Sequence, residues 1–141
     1  MLTGEVLETI AALVAALKSY AAKLPAVVHL NVVPTGMKPQ DEMVEAYERA
    51  VSRLRTQSQK TPYRHLVPPF VESVEAFEAG RLLSAIQPLL QVLDQLEQMT
   101  RDKEIDATPV DEKRIAEYRT ALHRIMPGKN PELEGAGRGL A

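Results

Sequence analysis

Residues 81–102, RLLSAIQPLLQVLDQLEQMTRD, carry the pattern that decides how this chain folds. Leu82, Ile86, Leu89, Leu93 and Leu96 recur four and three apart, the spacing of a helical seam. Leu83, Ala85, Leu90, Val92 and Met99 flank that seam, so apolar residues cover an arc of roughly 200° on the wheel. A helix at a protein surface carries a stripe only somewhat wider than ~100°. The spacing therefore predicts a helix from Arg81 to about Asp102 that is covered on more than one side. Pro88 removes one backbone donor and is expected to bend this helix or restart it. The alternative division is one helix over 69–86, running through Gly80, and a second from Pro88. Gly80, suited to a left-handed cap, favours the break just before Arg81.

The segments on either side repeat the helical period. Upstream, Phe70, Val74 and Phe77 mark a helix that opens at Pro69. A helix beginning at Pro39, with Gln-Asp-Glu behind it, presents Val44, Tyr47, Val51 and Leu54 on one face. Glu45 and Arg49 stand four apart on it, a favourable ion-pair spacing. Nearer the N-terminus, Val6, Ile10, Leu13, Leu17 and Leu24 predict a helix over Thr3 to Leu24, with Leu7 and Val14 widening its face and Pro25 ending it. Downstream, Thr108, Pro109 and Asp111 form a capping-box start. Ile115, Tyr118, Leu122 and Ile125 follow as the inward face of that helix.

Between the first two helices lies AVVHLNVVPTG, residues 26–36, which is rich in β-branched side chains. As a strand it would need a partner, and the only candidate is a short stretch from Tyr63 to Val67. The preferred reading is an extended apolar arm lying on helices. The stretch FEAGRLLSAIQPLLQVL resembles the turn and second helix of a tetratricopeptide-type hairpin at Gly80, Ala85, Ile86 and Leu89. No second copy follows at the ~34-residue offset of such repeats, so no repeat array is expected.

The expected architecture is all-α: a four- to five-helix bundle, residues 1–126, with the arm at about 26–36 and a flexible C-terminal tail at 127–141. The length of 141 residues fits one domain. With no Trp, two Phe and four Tyr, the core must be aliphatic, which suits helix-on-helix packing. The absence of cysteine excludes disulfides, thiolate metal sites and a cysteine nucleophile. Glu5 and Glu8 stand where a secretory leader would carry positive charge. The uncharged run from Thr9 to Leu17 is well short of the ~20 residues that cross a bilayer. The expected location is the cytoplasm, or the interior of a larger particle, with no membrane partner.

Catalytic and metal signals are weak. His29, His65 and His123 fall in three separate segments, and no Glu-x-x-His or His-Glu-x-x-His motif occurs. No cofactor, metal or enzymatic activity is expected. The apolar surplus points instead to binding: one helix apolar on two sides, another apolar or alanine nearly all round, and four valines in the arm. The chain is therefore expected to oligomerise or dock onto protein subunits of a larger assembly, as a structural component or an adaptor. The contact residues would be Leu83, Leu90, Val92 and Met99 on the second side of residues 81–102, with Val28, Leu30 and Val32 in the arm. The alternative rests on Arg49–Pro69, which has five Arg or Lys residues and no acidic one in a chain of net charge −2. Arg53, Arg55, Lys60 and Arg64 would then hold an anion or nucleic acid. The isoelectric point of 5.9 and the single interleaved aromatic, Tyr63, count against it. A ligand or catalytic pocket inside the bundle is the third reading.

Overall fold

Leu82, Ile86, Leu89, Leu93 and Leu96 are all buried, and the helix that carries them is the centre of the molecule. The computed structural model describes residues 1–23 and 38–125. Among these it contains five α-helices and no strand: α1 (Thr3–Ala22), α2 (Asp41–Gln57), α3 (Val67–Glu78), α4 (Leu82–Arg101) and α5 (Pro109–Ile125). A 3-10 turn, Pro62–Leu66, precedes α3. The expected all-helical bundle is thus what forms. The arm at 26–36 and the tail at 127–141 lie outside the described residues.

The direction of each helix follows from a few contacts. Tyr20, at the end of α1, donates its hydroxyl to the Gly80 carbonyl at 3.4 Å. A Cβ placed on Gly80 would sit 3.3 Å from Cγ of Lys38, just ahead of α2. The end of α1, the start of α2 and the end of α3 thereby meet at one pole. At the other pole Thr3 Oγ1 donates to the Asp106 carbonyl at 2.6 Å and accepts from the Tyr63 hydroxyl at 2.7 Å. Helices α1, α3 and α5 therefore run one way, and α2 and α4 run the other. Helix α4 packs on α3, α5 and α1, which is why its apolar arc is so wide.

Gly80 ends α3 in the left-handed conformation, at φ 77°. The Arg81 N–H reaches the Ala76 carbonyl at 2.9 Å and the Gly80 N–H reaches Phe77 at 3.0 Å, the paired bonds of a Schellman cap. With the turn closed there, α4 runs unbroken through Pro88, and no long helix passes through Gly80. The capping box at α5 also forms: Asp111 N–H donates to Thr108 Oγ1 at 3.1 Å, and Thr108 N–H to Asp111 Oδ2 at 3.0 Å.

One open alternative is closed and two helix starts are corrected. Tyr63–Val67 is not a strand, because Pro62–Leu66 curls into a 3-10 turn, so no strand pair spans α2. Helix α3 starts at Val67 rather than Pro69; Pro68 and Pro69 fall in its first turn, where a missing N–H breaks no bond. Helix α2 starts at Asp41 rather than Pro39, since Gln40 keeps an extended backbone, φ −66° and ψ 148°.

Candidate functional site

The four α4 residues expected to form a contact face do not share one. Val92 lies nine positions beyond Leu83, and Met99 nine beyond Leu90. At about 100° per residue, nine steps are half a turn, so the two pairs occupy opposite flanks of the seam. Val92 and Met99 are buried, at 0% and 7% exposure, inside the chain's own core. They are unavailable to a partner while the bundle is folded. Leu83 and Leu90 pack against the core from its edge and stay half-buried. Val28, Leu30 and Val32 lie outside the described residues.

The wider surplus of apolar surface also shrinks. Among the described residues only Leu2 and Val110 are large hydrophobics left exposed. They sit at the starts of α1 and α5, which are neighbours: a Cβ on Gly4 would lie 3.8 Å from Asp111 Oδ1. Half of the six alanines of α1, Ala12, Ala15 and Ala22, face water.

The basic segment is laid out on the C-terminal half of α2 and the turn after it. Arg49, Arg53, Arg55, Lys60, Arg64 and His65 are all exposed. Arg64 donates to the Thr61 carbonyl at 3.0 Å. The ion pairs among the described residues belong to Arg119, which bridges Asp94 and Glu97, so the expected Glu45–Arg49 pair is not closed. Ahead of the arginines the same helix exposes Asp41, Glu42, Glu45 and Glu48. Acidic residues at the N-terminus and basic ones at the C-terminus both complement the helix dipole.

Buried polar groups are committed to structure. Tyr47 donates to Ser73 Oγ at 2.5 Å, and Ser73 donates onward to the Ala85 carbonyl at 2.7 Å, one turn before Pro88. Burial lifts the Tyr47 hydroxyl far above the ordinary tyrosine value, and the contact with Ser73 offsets part of that rise. Its ring stacks on Phe77 at 4.4 Å between centroids, and Tyr20 meets the same Phe77 edge-on at 5.7 Å. Oε1 of Gln95 is the one buried side-chain oxygen without a partner among the described residues.

A recess of about 250 Å³ opens between the end of α4 and the start of α5, lined by Glu97, Thr100, Arg101, Glu112 and Ile115. Thr100 is turned to the Leu96 carbonyl, Arg101 to Gln98, and Glu97 to Arg119, so few of its polar groups converge on the space. No group of His, Cys, Asp and Glu suited to a metal ion occurs among the described residues. None of their helices is long and apolar enough to cross a membrane. Comparisons with protein-family models, curated proteins and solved structures find no match for the chain.

Proposed function

We propose that the chain is a non-enzymatic helical interaction module that self-associates, or docks onto protein subunits of a larger assembly, through one flank of α4. The observation that carries this reading is the pair Leu83 and Leu90. They stand seven residues apart on a single flank and remain half-buried, while the seam and the opposite flank of α4 are enclosed. Two turns of spacing suit a partner helix laid along that flank. Covering a leucine-sized group that is half wet contributes on the order of 1 kcal/mol, so a stable contact needs further apolar neighbours.

Molar mass across a dilution series tests the reading. Self-association of the full chain should persist in high salt and disappear in the double substitution Leu83→Asp and Leu90→Asp, with helicity retained. A particle of 15.6 kDa at every concentration overturns the self-association form. Unchanged mass in the double variant removes the α4 flank from the contact.

A second reading is favoured by the exposed cations, which have no carboxylate within ion-pair distance among the described residues. Arg53, Arg55, Lys60 and Arg64 would bind an anion or nucleic acid, with location in the cytoplasm in either case. On duplex DNA that binding should weaken with salt at a log–log slope near −0.9 per phosphate contacted. A gel shift unaffected by alanine at all four positions excludes it.

A further inference from the structure

We infer that the exposed face of α2 is a self-complementary docking surface whose partner is α2 of a second copy, packed antiparallel across a two-fold axis. The inference goes beyond the α4 flank and rests on a different face, since α2 packs on α1 and α3. Its basis is a split of charge. Asp41, Glu42, Glu45 and Glu48 occupy the first half of the helix, and Arg49, Arg53 and Arg55 the second, all exposed. No acidic residue interrupts the second half and no basic residue the first.

The helix dipole accounts for the order of these charges but not for their lack of partners. Helix α5 shows the contrast. It interleaves Asp111, Glu112, Lys113, Arg114, Glu117 and Arg119, and Arg119 closes two ion pairs within the molecule. On α2 the spacing of Glu45 and Arg49 allows a pair and none forms, so both signs remain unpaired on one face.

A two-fold axis makes each contact occur twice, residue i to j and j to i. A helix that is acidic in one half and basic in the other satisfies that condition when turned end for end. With the axis near Glu48, Asp41 lies opposite the partner's Arg55 and Glu42 opposite the partner's Arg53, since each pair shares one flank at about 100° per residue. The acidic and basic groups are centred about 12 Å apart at 1.5 Å per residue, so a parallel or shifted arrangement sets like charges together. Lys60 and Arg64 lie beyond the helix and extend the basic end. A second copy is the occupant chosen because one helix supplies both complements, four acidic residues and three basic ones, whereas a polyanion would meet the acidic half as well.

Sedimentation equilibrium of the full chain tests this, from about 10 mM salt, where the screening length is ~30 Å, to about 1 M, where it is ~3 Å. Association through α2 should weaken by about tenfold or more over that range, the opposite of an apolar contact. Two charge-reversed chains sharpen the result: one carrying Glu45→Lys and Glu48→Lys, the other Arg49→Glu and Arg53→Glu. All four positions are exposed, and far-UV circular dichroism checks that both variants fold. Each alone should lose the salt-sensitive association, and an equimolar mixture should form a heterodimer. Variants that associate like the unaltered chain, or a mixture that gives no heterodimer, overturn the inference and leave the α4 flank untouched. An unaltered chain that stays monomeric at low salt while shifting duplex DNA also overturns it and assigns the face to a polyanion.

Discussion

Helix α4 is fastened on its two sides by different means. Toward α2 and α3 the junction is dry: Tyr47, Ser73 and the Ala85 carbonyl form a chain of hydrogen bonds, with Phe77 between two tyrosine rings. Toward α5, a helix with two buried residues, Ile115 and Leu122, the polar contact is a half-wet fork from Arg119 to Asp94 and Glu97. A buried hydrogen bond fails expensively, because its orphaned partner cannot turn to water. A surface ion pair fails cheaply, because water replaces it. The two attachments therefore use similar numbers of polar groups to very different effect, and α5 is the helix expected to open first under native conditions.

The largest expected effect lies on the dry side. Phe77→Ala removes a ring that is fully enclosed and touches both Tyr20 and Tyr47, and should destabilise the fold by about 3–5 kcal/mol. Denaturant unfolding measures it, and a loss below ~1 kcal/mol would show that this junction is not the firm one. Next comes Ser73→Ala, which strands the Tyr47 hydroxyl in the core and withdraws a donor from the turn before Pro88. A cost of about 1–3 kcal/mol is expected, with little change in the dependence on denaturant.

The same junction should show itself in alkali. The unfolded chain releases the Tyr47 proton near the ordinary tyrosine value of 10.0, whereas the buried hydroxyl holds it to a much higher pH. Below pH 10 the unfolded and folded chains bind that proton equally, and Tyr47 adds no pH dependence. Above it the unfolded state is favoured progressively, by about 1.4 kcal/mol per pH unit, until the folded state also ionises. Stability should therefore fall as pH rises past 10, and Tyr47→Phe should flatten that fall. An equal slope in both proteins would mean that Tyr47 is less enclosed than its surroundings indicate.

What could be read from the sequence was whatever depends on neighbours along the chain. The seam from Leu82 to Leu96, the Gly80 cap and the Thr108–Asp111 box involve residues a few positions apart, and each is found as expected. The junctions that distinguish the two sides of α4 are not local. Tyr47 and Ser73 stand 26 residues apart and Thr3 and Tyr63 stand 60 apart, and nothing in either segment names its partner. The candidate contact face was divided for a different reason. Counting flanking leucines gives the width of an apolar arc, but only the placement of α1, α3 and α5 shows which flank is covered. Val92 and Met99 were thus absorbed by the fold, and only Leu83 and Leu90 remained at its edge. Left-handed Lys103, at φ 60°, was equally invisible: it ends α4 with the bond pattern Gly80 uses, in a residue that gives no sign of it.

Arg119→Ala is the smallest expected change and the sharpest test of the contrast. The guanidinium is held protonated chiefly by its hydrogen bond to Glu97, but the side chains of Arg119, Asp94 and Glu97 are 29%, 72% and 43% exposed. Solvent screens such a pair, so its loss should cost under about 1 kcal/mol at low ionic strength and still less in ~1 M salt. Hydrogen exchange gives the finer readout. Amides of α5 should exchange faster in the variant, while those of α3 and the first half of α4 stay as slow as before, because the fork joins α5 to α4 alone. If the substitution costs as much as Ser73→Ala, resists salt and speeds exchange across all the helices, then α5 belongs to the same cooperative unit as the tyrosine junction. The bundle would then have one kind of fastening, with its charged surface contributing as much as its core.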